Sequence, residues 1–278
     1  MAGVHPSLLQ RERACQRGAR RGVVDPARVE LPGVLGKRVD LTVTQGDDLG
    51  QVGAIDRPEA LRTLLVERDL LADNDAVAAH NRFQFAKAKT LVVNLLASPG
   101  AGKTALLEKT LHTFAKDCPV AVIEGDQTTS LDAERIRNTG VAAVQVQTGK
   151  ACHLDAQMVR DALPSLPALP RGLLLIENVG NLVCPAGFDL GEHKRVVIAS
   201  VTEGEDKPLK YPAMFATADL LVVSKIDLLP HLDFSVEKLV EHARRIRPGL
   251  PVLMLSAKSG AGLADWLHWL ADERAHLV

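Results

Sequence analysis

No run of 18 apolar residues occurs in this chain, and no apolar h-region follows its start. A membrane-spanning helix and a cleaved leader are therefore not expected, and a soluble, cytoplasmic protein is. Cysteine is scarce, with four residues at 15, 118, 152 and 184, and none forms a CxxC pair or a short disulfide-framework spacing. That usage suits a reducing compartment. Excess charge is also missing: 33 Lys plus Arg balance 34 Asp plus Glu. No overall field exists to recruit nucleic acid or an anionic membrane. One local exception is the basic stretch holding Arg11, Arg13, Arg17, Arg20 and Arg21, which reads as a solvated tail.

What is present suits one substantial core, or one core with a small appendage, in 278 residues. Residues 1–56 form an N-terminal extension with scattered Gly and Pro and one short β-like run, RVDLTV. From Arg57 to Lys89 the spacing turns helical: Leu61, Leu64 and Leu65 fall at i, i+3 and i+4, and Phe83 and Phe85 close the segment. Apolar runs then recur at 91–96, 120–124, 141–146, 172–177, 195–200, 220–224 and 251–255, most of them separated by helical patterns or loops. Near-continuous Val/Ile/Leu runs suit strands buried on both faces, and strand–helix alternation implies parallel order with right-handed crossovers. The expected fold is a three-layer α/β domain with a mostly parallel sheet over 57–278, beginning with a helical lead-in.

The first strand runs into SPGAGKT. Gly100, Ala101, Gly102, Lys103, Thr104 and Ala105 make the end of a Walker A loop and the opening of a helix. Glycine lets successive backbone N–H groups curl round phosphate oxygens, and the helix N-terminus adds partial positive charge. Lys103 is expected on the β- and γ-phosphates and the Thr104 hydroxyl on Mg²⁺. The pattern's first glycine is Ala97 here, a small residue that costs little. The segment LLVVSKIDLLP resembles a guanine-reading NKxD box. Asp227 accepts from guanine N1–H and N2–H₂, Lys225 lays its stem over the base, and Ser224 replaces Asn, shortening one polar tie. LSAKSGAG supplies Ser256, Ala257 and Lys258, as in a loop closing on guanine O6. A carboxylate that pairs with guanine and repels adenine makes GTP, rather than ATP, the expected nucleotide.

Two switch segments follow. IEGDQTTSLDAERI (123–136) offers Asp126 for Mg²⁺ or the attacking water. LLLIENVGN (173–181) offers Glu177 as a Walker-B-type acid, with Gly180 as pivot. With no obvious Gln or arginine finger, slow intrinsic hydrolysis is expected. Lys103, Asp126 and Glu177 are the catalytic candidates. Cys152, His153 and Cys184 are expected on loops after neighbouring strands, on the edge that carries the nucleotide, and two thiolates plus an imidazole suit Zn²⁺ or Ni²⁺. Three ligands are one short of a closed tetrahedron, which points to a site shared across a symmetric dimer or to an open exchange position. Cys118 reads as a packing residue.

Taken together, NRFQF, SPGAGKT, EGDQTTSLDAERI, TGKACHLDA, ENVGNLVCPAGFDLGE and SVTEGEDKPLKYPAMF resemble HypB, the nickel-incorporation GTPases of [NiFe]-hydrogenase maturation, over about residues 70–278. The resemblance implies a SIMIBI-class P-loop GTPase that dimerises with GTP. It implies Ni²⁺ or Zn²⁺ at Cys152, His153 and Cys184 on the dimer interface. It further implies a HypA-type zinc/nickel protein and the hydrogenase large-subunit precursor as partners. Many relatives carry an N-terminal CxxCGC or His-rich nickel site; this chain has neither, only Cys15. The expected mechanism is a coupled switch, in which GTP and Mg²⁺ order the loop ending in Glu177 and Cys184 moves with it. Rival readings are a UreG-like urease GTPase and a structural zinc protein with incidental GTPase activity. Lys207 and Lys210 are either surface lysines or contacts to a partner's nucleotide.

Overall fold

The computed structural model describes residues 57–126, 131–149 and 151–277. The N-terminal extension at 1–56, with its β-like run and Cys15, lies outside the described residues, as does the middle of the first switch at 127–130. In chain order the elements are α1 (Arg57–Ala88), β1 (Leu91–Ala97), α2 (Lys103–Phe114), β2 (Val120–Asp126), α3 (Leu131–Arg137), β3 (Ala142–Gln147), α4 (Ala156–Ala162), β4 (Leu173–Glu177), β5 (Lys194–Ser200), α5 (Lys207–Lys210), α6 (Pro212–Ala216), β6 (Leu220–Ser224), α7 (Val236–Ile246), β7 (Val252–Met254) and α8 (Leu263–Ala275). Each of the seven apolar runs became a strand, with ends that coincide at 220–224 and differ by a residue or two in the other six.

The strands form one parallel sheet in the order β3-β2-β4-β1-β5-β6-β7. Position in that order explains burial. The inner strands β1, β4 and β6 are buried at every residue. The edge strands β3 and β7 are half-covered, with one exposed end residue each. Pleating sends alternate β1 residues to opposite faces. Leu91, Val93 and Leu95 join Leu107, Leu111 and Trp266 on one face. Val92 joins Phe85, Leu154 and Leu174 on the other, and Leu96 packs with Met214 and Phe215. Each such fully buried aliphatic or aromatic side chain contributes about 1.5–3 kcal/mol. Trp266 also donates from Nε1 to the buried Thr110 hydroxyl at 2.8 Å. Cys118 packs against the α2 side of the core as expected, its thiol pushed up by burial.

α1 is fastened to the α4 side by two buried asparagines two helical turns apart. Asn74 donates to Asp189 O (2.8 Å) and accepts from Ala156 N (2.9 Å). Asn81 donates to Ala156 O (2.9 Å) and Leu190 O (3.1 Å). The loop at Gly191 comes so close that an added Cβ would sit 2.5 Å from Ala78 O, and its φ of +86° suits only glycine. Of the two phenylalanines that close this segment, Phe85 is buried and Phe83 points to solvent.

β1 lies between β4 and β5, although the chain visits β2 and β3 first. The loops leaving β1 and β4 therefore open into one crevice at the carboxyl edge of the sheet, where open α/β folds bind ligands.

Candidate nucleotide and metal sites

Gly100 and Gly102 both take positive φ, +74° and +100°, in the turn from β1 into α2. Only glycine adopts these angles at little cost, and the turn aims the start of α2 into the crevice. Lys103 and Thr104 are almost wholly buried there. Ala97 ends β1 with ordinary backbone angles and its methyl in the core, so the missing first glycine leaves no strain.

A cavity of about 440 Å³ meets Gly100, Gly102, Lys103, Thr104, Asp126 and Glu177. A second, of about 250 Å³, meets Ala101, Lys225, Asp227, Ser256, Ala257 and Lys258. Both touch Gly102 and Ala105, so the two adjoin at the start of α2. Every residue expected to bind the nucleotide is on one or the other. Ser224 is buried, and its hydroxyl donates to Ala101 O at 2.7 Å, tying the base pocket to the P-loop. Lys225 takes φ +59°, a left-handed conformation costing a non-glycine residue about 1–2 kcal/mol. It brings the Lys225 stem alongside the P-loop, with Cε 3.9 Å from where a Gly102 Cβ would stand. Asp227 is aimed by Ser256, whose hydroxyl donates to Oδ1 at 2.5 Å.

At the phosphate end, the Thr104 hydroxyl donates to Glu177 Oε1 at 2.9 Å. Glu177 is in register with Glu124 on β2, and both carboxylates are buried against the same cavity. Asp126 and Thr104 meet the same cavity, and oxygen donors of this kind are the type that Mg²⁺ takes. Sequence reasoning missed Glu124, although the two-residue period of a strand puts it on the face of Asp126. It also missed Arg135, which lines the cavity from α3 while paired with Glu108 of α2 through Nε (3.0 Å) and an η nitrogen (2.9 Å). No sequence signal links residues 27 apart in that way.

Cys152, His153 and Cys184 converge, each offering a ligand atom within 4.8 Å of the others. They come from the loops after β3 and β4, which are not adjacent as expected: β2 runs between them. The two sulfurs are joined as a disulfide with Cα atoms 6.3 Å apart, a pairing the sparse cysteine spacing did not suggest. The loops cross β2 above its carboxyl end, so residues 32 apart in sequence meet. Disulfide formation and metal ligation use the same sulfurs, so the two thiols are available to a metal only when reduced. The His153 ring stacks on Phe188 at 3.8 Å. Burial holds its imidazole below the usual value, against the opposing charge of Asp155, which favours the neutral, ligating form.

Lys207 bonds Glu203 at 3.2 Å and lies 3.4 Å from Ser98 Oγ in the P-loop, whereas Lys210 pairs with Asp206 on the surface. Among the described residues no helix is long and apolar enough to cross a membrane.

The nucleotide-binding domain shared by CobW, HypB and UreG matches residues 91–254. The hydrogenase maturation factor HypB of Azotobacter vinelandii is 57% identical over 213 residues, spanning 77% of this chain and 70% of its own. The crystal structure of HypB from Helicobacter pylori in complex with nickel superposes with a TM-score of 0.69 at 40% identity, covering 73% of this chain and 96% of that one. HypB from Archaeoglobus fulgidus gives 0.68 at 39% identity, covering 73% and 99%. The expected P-loop NTPase fold is thus the one found, and the chain belongs to the HypB family of hydrogenase maturation factors, within the CobW/HypB/UreG group of nucleotide-binding domains.

Proposed function

We propose that this chain hydrolyses GTP to GDP and phosphate and uses the cycle to hand nickel to the precursor of a [NiFe]-hydrogenase large subunit. The observation that carries the reading is the continuity of one segment. Glu177 touches the P-loop at Thr104, and seven residues later the same segment supplies Cys184 to the Cys152–His153 cluster. A change at the phosphates has a short covalent path to a metal ligand.

Asp227, held by Ser256, selects guanine, and Lys225 covers the base. Lys103 neutralises charge on the β- and γ-phosphates. Glu124, Asp126 and Glu177 line the phosphate cavity and hold the attacking water. Water adds to the γ-phosphorus, the bond to the β–γ bridging oxygen breaks, and GDP carries away that oxygen's electron pair. Mg²⁺, held by Thr104 with Glu177 and Asp126, would neutralise charge on the phosphate oxygens. With nickel as cargo, reduced Cys152, Cys184 and neutral His153 form an incomplete ligand set. A second copy, joined on GTP binding, completes it, and a HypA-type protein supplies or receives the ion. Relatives at 57% identity are hydrogenase maturation factors, which does not favour a urease-only role.

The test is a Ni²⁺ titration of the reduced protein with GDP and with a non-hydrolysable GTP analogue, for wild type and Cys184→Ala. Affinities that differ between nucleotides by about 5–150-fold in the wild type, the range for linked sites, support the reading. Equal affinities, or zinc that stays bound through turnover and resists exchange, overturn it. Turnover of ATP matching that of GTP would overturn the guanine assignment.

A further inference from the structure

One buried side chain lies next to Glu177 and reaches both halves of the Cys/His cluster. Asn178 is 1% exposed, and both polar atoms of its amide are bonded. Oδ1 accepts from the backbone N–H of Leu154 at 3.1 Å and of Val179 at 2.9 Å. Nδ2 donates to Asn94 Oδ1 at 3.3 Å. Leu154 directly follows His153, so the first bond holds the Cys152–His153 loop. A second bond to that loop runs from Asn181 Nδ2 to Cys152 O at 3.4 Å.

The chain of bonds continues towards the other sulfur. Asn94, wholly buried in the middle of β1, donates to Glu192 Oε1 at 3.2 Å. Arg195 holds that same oxygen at 2.6 Å. Its remaining guanidinium nitrogens donate to Ala186 O at 3.2 Å and Phe188 O at 3.1 Å. Ala186 belongs to the turn that begins at Cys184, and Phe188 stacks on His153. A polar residue in the middle of a buried strand costs stability unless its bonds are made. Here they link the two metal-ligand loops to one amide, a single peptide unit from the acid that contacts Thr104.

We infer that Asn178 is the positioning residue through which the phosphate pocket sets the geometry of both Cys152–His153 and Cys184. The inference rests on reading the pocket as a GTP site and the cluster as a nickel site. Backbone continuity from Glu177 to Cys184 moves only one sulfur. Asn178 adds the opposite loop, so the two sides of the ligand set shift in concert. Apolar replacement removes the acceptor from Leu154 N–H and the donor from Asn94, and the loops then respond to nucleotide independently.

The experiment titrates Ni²⁺ into the full-length, reduced protein saturated with GDP or with a non-hydrolysable GTP analogue, in wild type and Asn178→Ala. In the wild type, amide hydrogen exchange at Leu154 is also followed in both nucleotide states. The expected result is a wild-type affinity ratio of about 5–150 that falls below about 2 in Asn178→Ala. Leu154 protection is expected to differ between the two wild-type complexes. An unchanged ratio in Asn178→Ala overturns the role of Asn178 while leaving the coupled GTPase reading intact. A wild-type ratio near 1 removes that reading and this inference with it. Should Asn178→Ala fail to fold, the exchange data decide: equal Leu154 protection in the two states, beside a wild-type ratio above 5, overturns the inference.

Discussion

Arg195→Met gives a penalty whose pH dependence can be worked out from the site. Glu192 is almost wholly buried, and desolvation lifts its carboxyl above the usual value while the Arg195 charge pulls it back. A carboxyl raised in the folded state binds its proton more tightly there than when unfolded. Its contribution is therefore fully present below the unfolded value of 4.5 and is lost as pH climbs through the folded value. Methionine keeps much of the arginine stem's volume but removes the cation, so the folded value rises further and the loss extends to higher pH. Breaking a buried pair by removing one partner costs about 3–5 kcal/mol. One proton gives at most about 1.4 kcal/mol per pH unit. The Arg195→Met penalty should therefore be larger at pH 8 than at pH 5, by at most about 4 kcal/mol for one proton over that window. Urea unfolding at the two pH values measures it. Glu192→Gln/Arg195→Met, with no buried charge, should lose that pH dependence and recover most of the stability at pH 8. Equal penalties for the single variant at both pH values, or no recovery in the double variant, would refute the reasoning.

Asp227→Asn exchanges an acceptor for a donor at guanine N2–H₂. GTP affinity should fall at least about 100-fold, at about 1.5–3 kcal/mol per charge-assisted bond. Xanthosine triphosphate, which has an oxygen at that position, should gain in a competition assay. Gly180→Ala places a Cβ 3.0 Å from Pro99 Cα and 3.1 Å from Pro99 N. The P-loop must then give by a few tenths of an ångström, so steady-state GTP turnover should drop more than the urea midpoint does. Trp266→Phe removes the Nε1 bond to Thr110 and some core volume. A loss of about 2 kcal/mol in urea unfolding is expected, with guanine nucleotide affinity unchanged.

Apolar runs of five or six residues determined the strands of this protein, because a parallel sheet covered on both faces tolerates little else on its inner strands. Short-range motifs determined the nucleotide chemistry. Gly100 and Gly102 need backbone angles that only glycine reaches cheaply, and Asp227 and Ser256 sit in loops whose spacing is distinctive. Tertiary structure alone decided what crosses between strands. The register that sets Glu124 beside Glu177, the reach of Arg135 to Glu108, the bond from Leu154 N–H to Asn178 and the meeting of Cys152 with Cys184 all join residues far apart in the chain. Local periodicity reports which face a side chain takes, but not which strand lies next to it. The order β3-β2-β4-β1 is fixed by packing of the whole sheet, and with it the place where sulfur, imidazole and phosphate pocket come together.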